Sequence, residues 1–449
     1  MVIQDELLRI SEISIDGLFG LYDHNVKLNL LDRVTIIHGP NGIGKTQILR
    51  FVEAFTEGKY FQFNKIPFDK FEIIFNNGKK VGIRKNSNDI KDGFDFEFFL
   101  IDENGIDRNQ KASIDKKDFE KVLMYIRREM PLSRTAEDMW IDRHTGTKYS
   151  SEELFANYYD QVPDSIKKKF ATPEWLGPIV KKIETHLIET QRLFNVSSYY
   201  DRSNRIAYER EENLFSSTVQ EYAKDLKKRI NDTLTEYAKV SQSLDQTFPQ
   251  RLLGGAIDQT NIDDLKNRME ALEQKRSNLK QIGLLGQDVT NPFDITTLDG
   301  LNDSQKTPMA LYVEDTEKKL NVLDPISERM TVMLEKINKK FRNKELKIDK
   351  LDGFTIIDSS GDKLTLDVLS SGEQHELVLI YSLLFKVRPN ALVMIDEPEL
   401  SLHVTWQRAF LNDIMDIAKT ASFDVLLATH SPYIVGDRHD LMISLGEED

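Results

Sequence analysis

The segment Gly39-Pro40-Asn41-Gly42-Ile43-Gly44-Lys45-Thr46 constrains this chain more than any other. It spells GxxxxGK[ST] directly after the apolar run Val34-Thr35-Ile36-Ile37 and directly before Gln47-Ile48-Leu49-Arg50-Phe51-Val52, which reads as helix. A strand, a glycine-rich loop and a helix in that order are the context a phosphate-binding loop requires. The glycines let backbone N–H groups turn inward around phosphate oxygens, in conformations a Cβ would obstruct. The helix that follows directs the positive end of its dipole at the same anion. In this frame Lys45 reaches the β- and γ-phosphates, and the Thr46 hydroxyl ligates Mg²⁺. The chain is expected to bind a nucleoside triphosphate.

Composition narrows the class. At 449 residues, 40% hydrophobic and 30% charged, the chain suits a soluble protein of several domains with a charge-rich helical part. It has no cysteine, which excludes disulfides, zinc ribbons and thiol nucleophiles and fits a reducing cytoplasm. Met1-Val2-Ile3-Gln4-Asp5-Glu6 lacks a basic and an apolar signal region, so no secretory leader is expected. The most apolar segments, such as Leu377 to Phe385, are shorter than a membrane span needs, and no membrane partner is expected. A net charge of −14 means that any nucleic-acid contact must come from a local patch.

Leu8 to Leu30 reads as two strands with a Gly17/Gly20 turn, and Phe61 to Ile101 as a small antiparallel sheet with a hairpin turn at Asn76-Asn77-Gly78. Ser113 to Lys182 reads as mixed helix with loops, and Thr185 to Gln191 as a core strand. Val219, Tyr222, Leu226, Ile230, Leu234, Tyr237, Val240 and Leu244 then recur every three or four residues. Ile262 to Ile282 and Leu323 to Phe341 repeat that spacing. Pro249, Gly254-Gly255, Gly283 and Pro292 are read as separators between these runs, giving an antiparallel helical hairpin or bundle. The expected division is 1–110 with the phosphate loop and a β subdomain, 111–203 mixed, 204–345 a helical insertion, and 346–449 the second half of the chemistry.

That second half holds three motifs. Leu369-Ser370-Ser371-Gly372-Glu373-Gln374 precedes an apolar helix; alone, the string could cap a helix and do nothing else. Ala391 to Ile395 is an apolar strand ending in Asp396-Glu397, and Val425 to Ala428 is another that leads to Thr429-His430. Phosphate loop, SGEQ, strand-Asp-Glu and strand-His, in this order, resemble the head of ABC-type ATPases. The fold class implied is α/β, a mixed sheet with the phosphate loop plus an antiparallel β subdomain, interrupted by a helical or coiled-coil insertion. Asp396 would hold Mg²⁺ through a coordinated water, Glu397 would act as general base, and His430 would donate to a γ-phosphate oxygen.

The resemblance implies more. The SGxQ element, Ser370 to Gln374, would meet the γ-phosphate bound by a second protomer, in a head-to-tail dimer with two shared ATP molecules or a higher oligomer. Ser401 falls where the family's interface-crossing loop lies, and Gln191 is the candidate for the glutamine completing the Mg²⁺ and water shell. More than three hundred residues separate loop and signature, a layout similar to the SMC, RecF and repair-ATPase branch. Asp396-Glu397-Pro398-Glu399-Leu400-Ser401-Leu402-His403 and Ala428-Thr429-His430-Ser431-Pro432 look more narrowly like overcoming-lysogenization-defect (OLD) proteins and the ATPase subunits of antiphage systems such as Septu and PARIS. Val404 stands where those proteins often carry Pro. OLD nucleases continue into a Toprim domain, whereas this chain ends nineteen residues after His430 and Asp142-Arg143-His144 is isolated. The resemblance therefore implies an ATPase without nuclease activity of its own, controlling a separate effector and triggered by DNA or a phage protein. The alternative is a RecF- or SMC-like ATPase of DNA repair or chromosome maintenance, for which Lys167-Lys168-Lys169, Lys227-Lys228-Arg229 and Lys336 to Lys344 are candidate basic patches.

Overall fold

The computed structural model describes residues 8–64, 66–85, 94–114, 116–136, 139–143, 146–151, 154, 158, 162–163, 165, 173–189, 211–254, 261–286, 303–400 and 404–446. The chain forms two compact units, Met1–Leu193 with Arg388–Asp449, and Phe194–Val387.

In the first unit, β1 (Ile10–Leu18), β2 (Tyr22–Lys27), β3 (Val34–His38) and α1 (Lys45–Thr56) are followed by β4 (Lys70–Phe75), β5 (Lys80–Lys85), β6 (Phe94–Ile101) and β7 (Asp107–Ile114). An antiparallel sheet of six strands runs β2-β1-β4-β5-β6-β7, and both expected turns close hairpins in it. Next come α2 (Lys116–Glu129), β8 (Leu132–Ala136), β9 (Met139–Asp142), β10 (Lys148–Ser150), α3 (Leu176–Val180) and β11 (Thr185–Glu189). The expected mixed helix with loops over Ser113–Lys182 thus also contains a three-stranded sheet, β10-β9-β8. Its strands are too short to generate a legible alternation of apolar and polar residues.

The second unit opens with α4 (Glu211–Leu253), α5 (Ile262–Gln281), α6 (Asp303–Asn321) and α7 (Asp324–Asn338). Pro249, expected as a separator, lies inside α4. It lies in the last turn, so its missing N–H leaves only the Asp245 carbonyl, close to the helix end, without an i→i−4 partner. Helix α6 carries no stripe that the sequence reading isolated. It buries Met309, Leu311, Val313 and Leu320 and is also fastened by ion pairs, Arg251 of α4 to Asp315 at 2.6 Å and Arg268 of α5 to Glu317 at 2.6 Å. The unit ends with β12 (Lys344–Asp349), β13 (Gly353–Asp358), β14 (Lys363–Leu364) and α8 (Ser371–Phe385). The expected 204–345 insertion lies within this unit, which also includes the strands and the helix up to Val387.

Helix α8 joins α4 through rings and hydroxyls. Tyr222 and Tyr381 stack at 4.5 Å, Tyr381 Oη donates to Asp225 at 2.6 Å, and Tyr222 and Ser382 share a hydrogen bond of 2.9 Å. Burial, reinforced by Asp225, pushes the Tyr381 phenol well above its ordinary value. Burial alone would raise the Asp225 carboxyl, yet donation from Tyr381, Arg229 and Lys386 holds it below the usual range.

The β12–β13 turn fits directly on α4. A Cβ on Gly353, whose φ is +84°, would lie 1.9 Å from the Ala223 carbonyl oxygen. Gly361 has a similar φ of +90° but nothing within 4 Å. Gly353→Ala is therefore expected to destabilise the protein by more than about 2 kcal/mol, beyond the strain that Gly361→Ala also incurs. Equal melting temperatures for the two variants would contradict this packing.

The chain returns to the first unit with β15 (Leu392–Asp396), α9 (Val404–Ala421), β16 (Asp424–Thr429), α10 (Pro432–Val435) and β17 (Met442–Ser444). These strands complete a five-stranded sheet in the order β11-β15-β16-β3-β17. Every pairing in it is parallel, so all carboxyl ends lie along one edge. Phe51 and Phe55 of α1 pack on Phe63, Phe68 and Phe71, within one apolar core that also contains Leu187, Met394 and Leu426. Helix α1 is thereby fixed against both sheets. At the opposite edge of the parallel sheet, Arg9 grips Asp424 through two hydrogen bonds of 2.6 and 2.8 Å, tying the first strand to the returning segment.

Candidate functional site

The residue types of the phosphate loop follow from its packing. Strand β3 ends at His38 and α1 begins at Lys45. A Cβ on Gly44 would meet Leu18 Cδ2 at 2.5 Å, and one on Gly39 would meet the Leu445 carbonyl oxygen at 2.8 Å. Gly42, with φ +88°, has nothing within 4 Å and is required by conformation alone. Buried His24 donates from Nε2 to the Ile43 carbonyl at 2.8 Å. This brace was absent from the sequence reading, since a lone histidine in a strand carries no signal of its own. Lys45, 5% exposed, donates from Nζ to the carbonyls of Gly39 at 2.7 Å and Pro40 at 3.0 Å. Its ammonium is therefore held against the backbone of the loop's first two residues.

Sheet order sets the rest. Strand β16 separates β3 from β15, and β11 flanks β15 with Glu189 opposite Asp396. One strand width thus brings the loop and the acids together. The Thr46 hydroxyl donates to Asp396 Oδ1 at 3.1 Å. A hydroxyl and a buried carboxylate beside a helix N-terminus are hard oxygen donors of the kind Mg²⁺ takes alongside phosphate oxygens. Among the described residues there is no group of three or more His, Asp or Glu side chains that could hold a metal by itself.

After Asp396 the backbone turns sharply. Glu397 has φ +45°, a left-handed conformation rare for a residue with a Cβ, and its N–H donates to the Ala428 carbonyl at 2.8 Å. Such local strain of about 1–3 kcal/mol is typical of functional positions. The turn brings the Glu397 carboxylate to 3.8 Å from His430 Nδ1. Glu399, which the sequence reading left without a role, is closer. Its Oε1 lies 3.0 Å from the same Nδ1 and accepts from Thr429 Oγ1 at 2.8 Å and from the His430 N–H at 3.0 Å. The alternation of acids in Glu397-Pro398-Glu399 was the available signal.

The signature lies in the second unit. Ser370 caps α8 in a capping box with Glu373, and Lys344 donates to Glu373 at 2.8 Å. Burial opposes ionisation of Glu373, but donation from Lys344 and Ser370 holds its carboxyl below the usual value. Gln374 is buried and donates to the Leu369 carbonyl at 3.0 Å. Ser370, Glu373 and Gln374 are thus engaged in building the helix start, whereas Ser371 and Gly372 are exposed. Gln191 and Ser401 lie outside the described residues, as do Lys167-Lys168-Lys169 and His144.

Comparison with known proteins is consistent with this geometry. The family described as AAA ATPase domain matches residues 9–435. No curated protein matches the chain. Among solved structures, the Smc head domain with an extended coiled coil bound to the C-terminal domain of ScpA, from Pyrococcus furiosus, is 12% identical, covers 97% of this chain and 93% of its own, and has a TM-score of 0.35. The SMC head domain from Thermotoga maritima is 9% identical over 97% and 94%, with a TM-score of 0.32. Likeness at that level carries no functional argument. No described helix is long and apolar enough to cross a membrane.

Proposed function

Because the chain belongs to the AAA ATPase domain family, we propose that it binds and hydrolyses ATP at the carboxyl edge of its parallel sheet. The observation that carries this reading is the 3.1 Å contact of Thr46 with Asp396, with Lys45, Glu397 and His430 around it. The loop N–H groups and Lys45 bind the β- and γ-phosphates. Thr46 and Asp396 would hold Mg²⁺, with Gln191 completing its shell; when bound, the ion neutralises charge on the phosphates. Glu397 orients the attacking water and accepts its proton, and His430 donates to a γ-phosphate oxygen. Nucleotide-binding calorimetry and phosphate release by the purified chain test the reading together.

The exposed start of α8 supports a shared site. Ser371 and Gly372 of one copy complete the nucleotide site of another, with Ser401 at the interface, so ATP joins two copies and hydrolysis releases them. Ser371→Arg is expected to bind ATP and fail to turn it over. Mixed with Lys45→Ala it should regain activity, because the mixed dimer retains one site with an intact loop and an intact signature. A mixture as inactive as its components, or a fully active Ser371→Arg, contradicts the shared site.

The motif wording that resembles antiphage ATPases favours a role in bacterial defence, in which the nucleotide state holds or frees a separate effector protein. Co-purification of the neighbouring gene product, with release on ATP hydrolysis, tests it. A second reading is favoured by Lys224, Lys227 and Lys228, which lie exposed along α4: an ATPase of the SMC or RecF type that holds DNA. DNA affinity with a steep salt dependence would favour that reading.

A further inference from the structure

Ile43 supplies no functional side chain to the phosphate loop, yet it is held from two sides. Its side chain is 4% exposed and reaches bare backbone, since a Cβ on Gly446 would come within 2.1 Å of Ile43 Cδ1. Its carbonyl accepts from His24 Nε2 at 2.8 Å. His24 is 5% exposed and pairs with Ile15 across the β1–β2 hairpin. It also stacks on Tyr22, with the rings 5.8 Å apart and 12° from parallel. Sheet pairing and stacking thereby fix the ring. With the Ile43 side chain lodged, the freedom left to this stretch is rotation of the peptide between Ile43 and Gly44.

The carbonyl and N–H of one trans peptide point in opposite directions, and this peptide is trans. Holding the Ile43 oxygen against His24 therefore turns the Gly44 N–H away from β2. Among the described residues no acceptor takes that N–H, which lies at the cap of α1. Packing requires glycine at this position, because a Cβ would meet Leu18 Cδ2 at 2.5 Å. Glycine also leaves φ, here +106°, nearly free, so the residue itself does not oppose a flip of the peptide. A flipped peptide would present the Ile43 oxygen to the phosphate site and repel an anion. We infer that His24 is a positioning residue that holds the Ile43–Gly44 peptide with its N–H toward the nucleotide phosphates. Loss of the bond lets the flipped form accumulate, and apparent affinity falls with the fraction of loop that remains competent. This role rests on the proposed ATP binding, and it places a determinant of affinity outside the loop itself.

His24→Gln and His24→Met test it in the full chain, because the two side chains match in length and only glutamine carries a donor. Titration calorimetry with ATP and Mg²⁺ is run well below the melting temperature. It should find His24→Gln within about twofold of the wild type and His24→Met weaker by about three- to tenfold, the effect of one buried hydrogen bond. KM for hydrolysis should rise with that loss while kcat at saturating ATP changes little. Equal affinities for the two variants overturn the inference. So does a His24→Met protein that melts lower yet binds ATP as the wild type does, since the bond would then serve the fold alone. A crystal structure of the wild type with ADP and Mg²⁺ needs no variant to fold. It should show the Gly44 N–H within hydrogen-bond distance of a phosphate oxygen and the Ile43 carbonyl on His24. An Ile43 carbonyl facing the phosphates overturns the inference. No ATP binding by the wild type would instead remove the proposed function, and this role with it.

Discussion

Lys45→Ala is expected to abolish measurable ATP binding. Lys45 is the buried cation of the loop, and its ammonium already sits on the carbonyls of Gly39 and Pro40. Hydrogen bonds to charged groups contribute about 1.5–3 kcal/mol each. Losing two at the β- and γ-phosphates weakens binding by about a hundredfold or more. The substitution leaves the apolar core face of α1, Ile48, Leu49, Phe51, Val52 and Phe55, unchanged, so the variant should still fold cooperatively. Titration calorimetry with ATP and Mg²⁺ is the measurement. Wild-type affinity in a folded Lys45→Ala protein would refute the assignment of the loop.

Glu397→Gln should separate binding from hydrolysis. Glutamine matches the shape of glutamate and tolerates the same backbone turn at φ +45° as poorly or as well, so the fold and the Thr46–Asp396 contact should persist. What disappears is the capacity to accept a proton from the attacking water, a loss of about 10²–10⁴ in kcat for a general base. The variant should retain ATP, and under the shared-site reading it should accumulate as the ATP-bound dimer in sedimentation. Turnover at the wild-type rate would take the base role away from Glu397.

Much of the first unit was legible in local sequence because its chemistry is written in short strings. The strand before the loop, the glycines and Lys45-Thr46 lie within thirteen consecutive residues, Val34 to Thr46, and each is dictated by backbone conformation and charge. The stripe on α4 was equally plain over Val219 to Ile230, which are buried, and less so toward Leu244, where the same spacing is only partly covered. Helix α6 escaped notice although Met309, Val313 and Leu320 are buried at helical spacing. Polar Thr316 interrupts that short stripe, and the ion pairs to Asp315 and Glu317 that also fasten the helix leave no periodicity. The β8–β10 sheet escaped for want of length.

The site divides in the same way. Amino-acid sequence alone determined which residues could carry phosphate chemistry, since a glycine loop with Lys and Thr, and a strand ending in two acids, need only local backbone rules to be read. Tertiary structure alone decided which of them meet. It set β16 between β3 and β15, brought Thr46 to Asp396 across 350 positions of chain, and selected Glu399 rather than Glu397 as the nearer partner of His430. Strand order and side-chain direction at a turn arise from packing between distant segments, and no short window of sequence contains them.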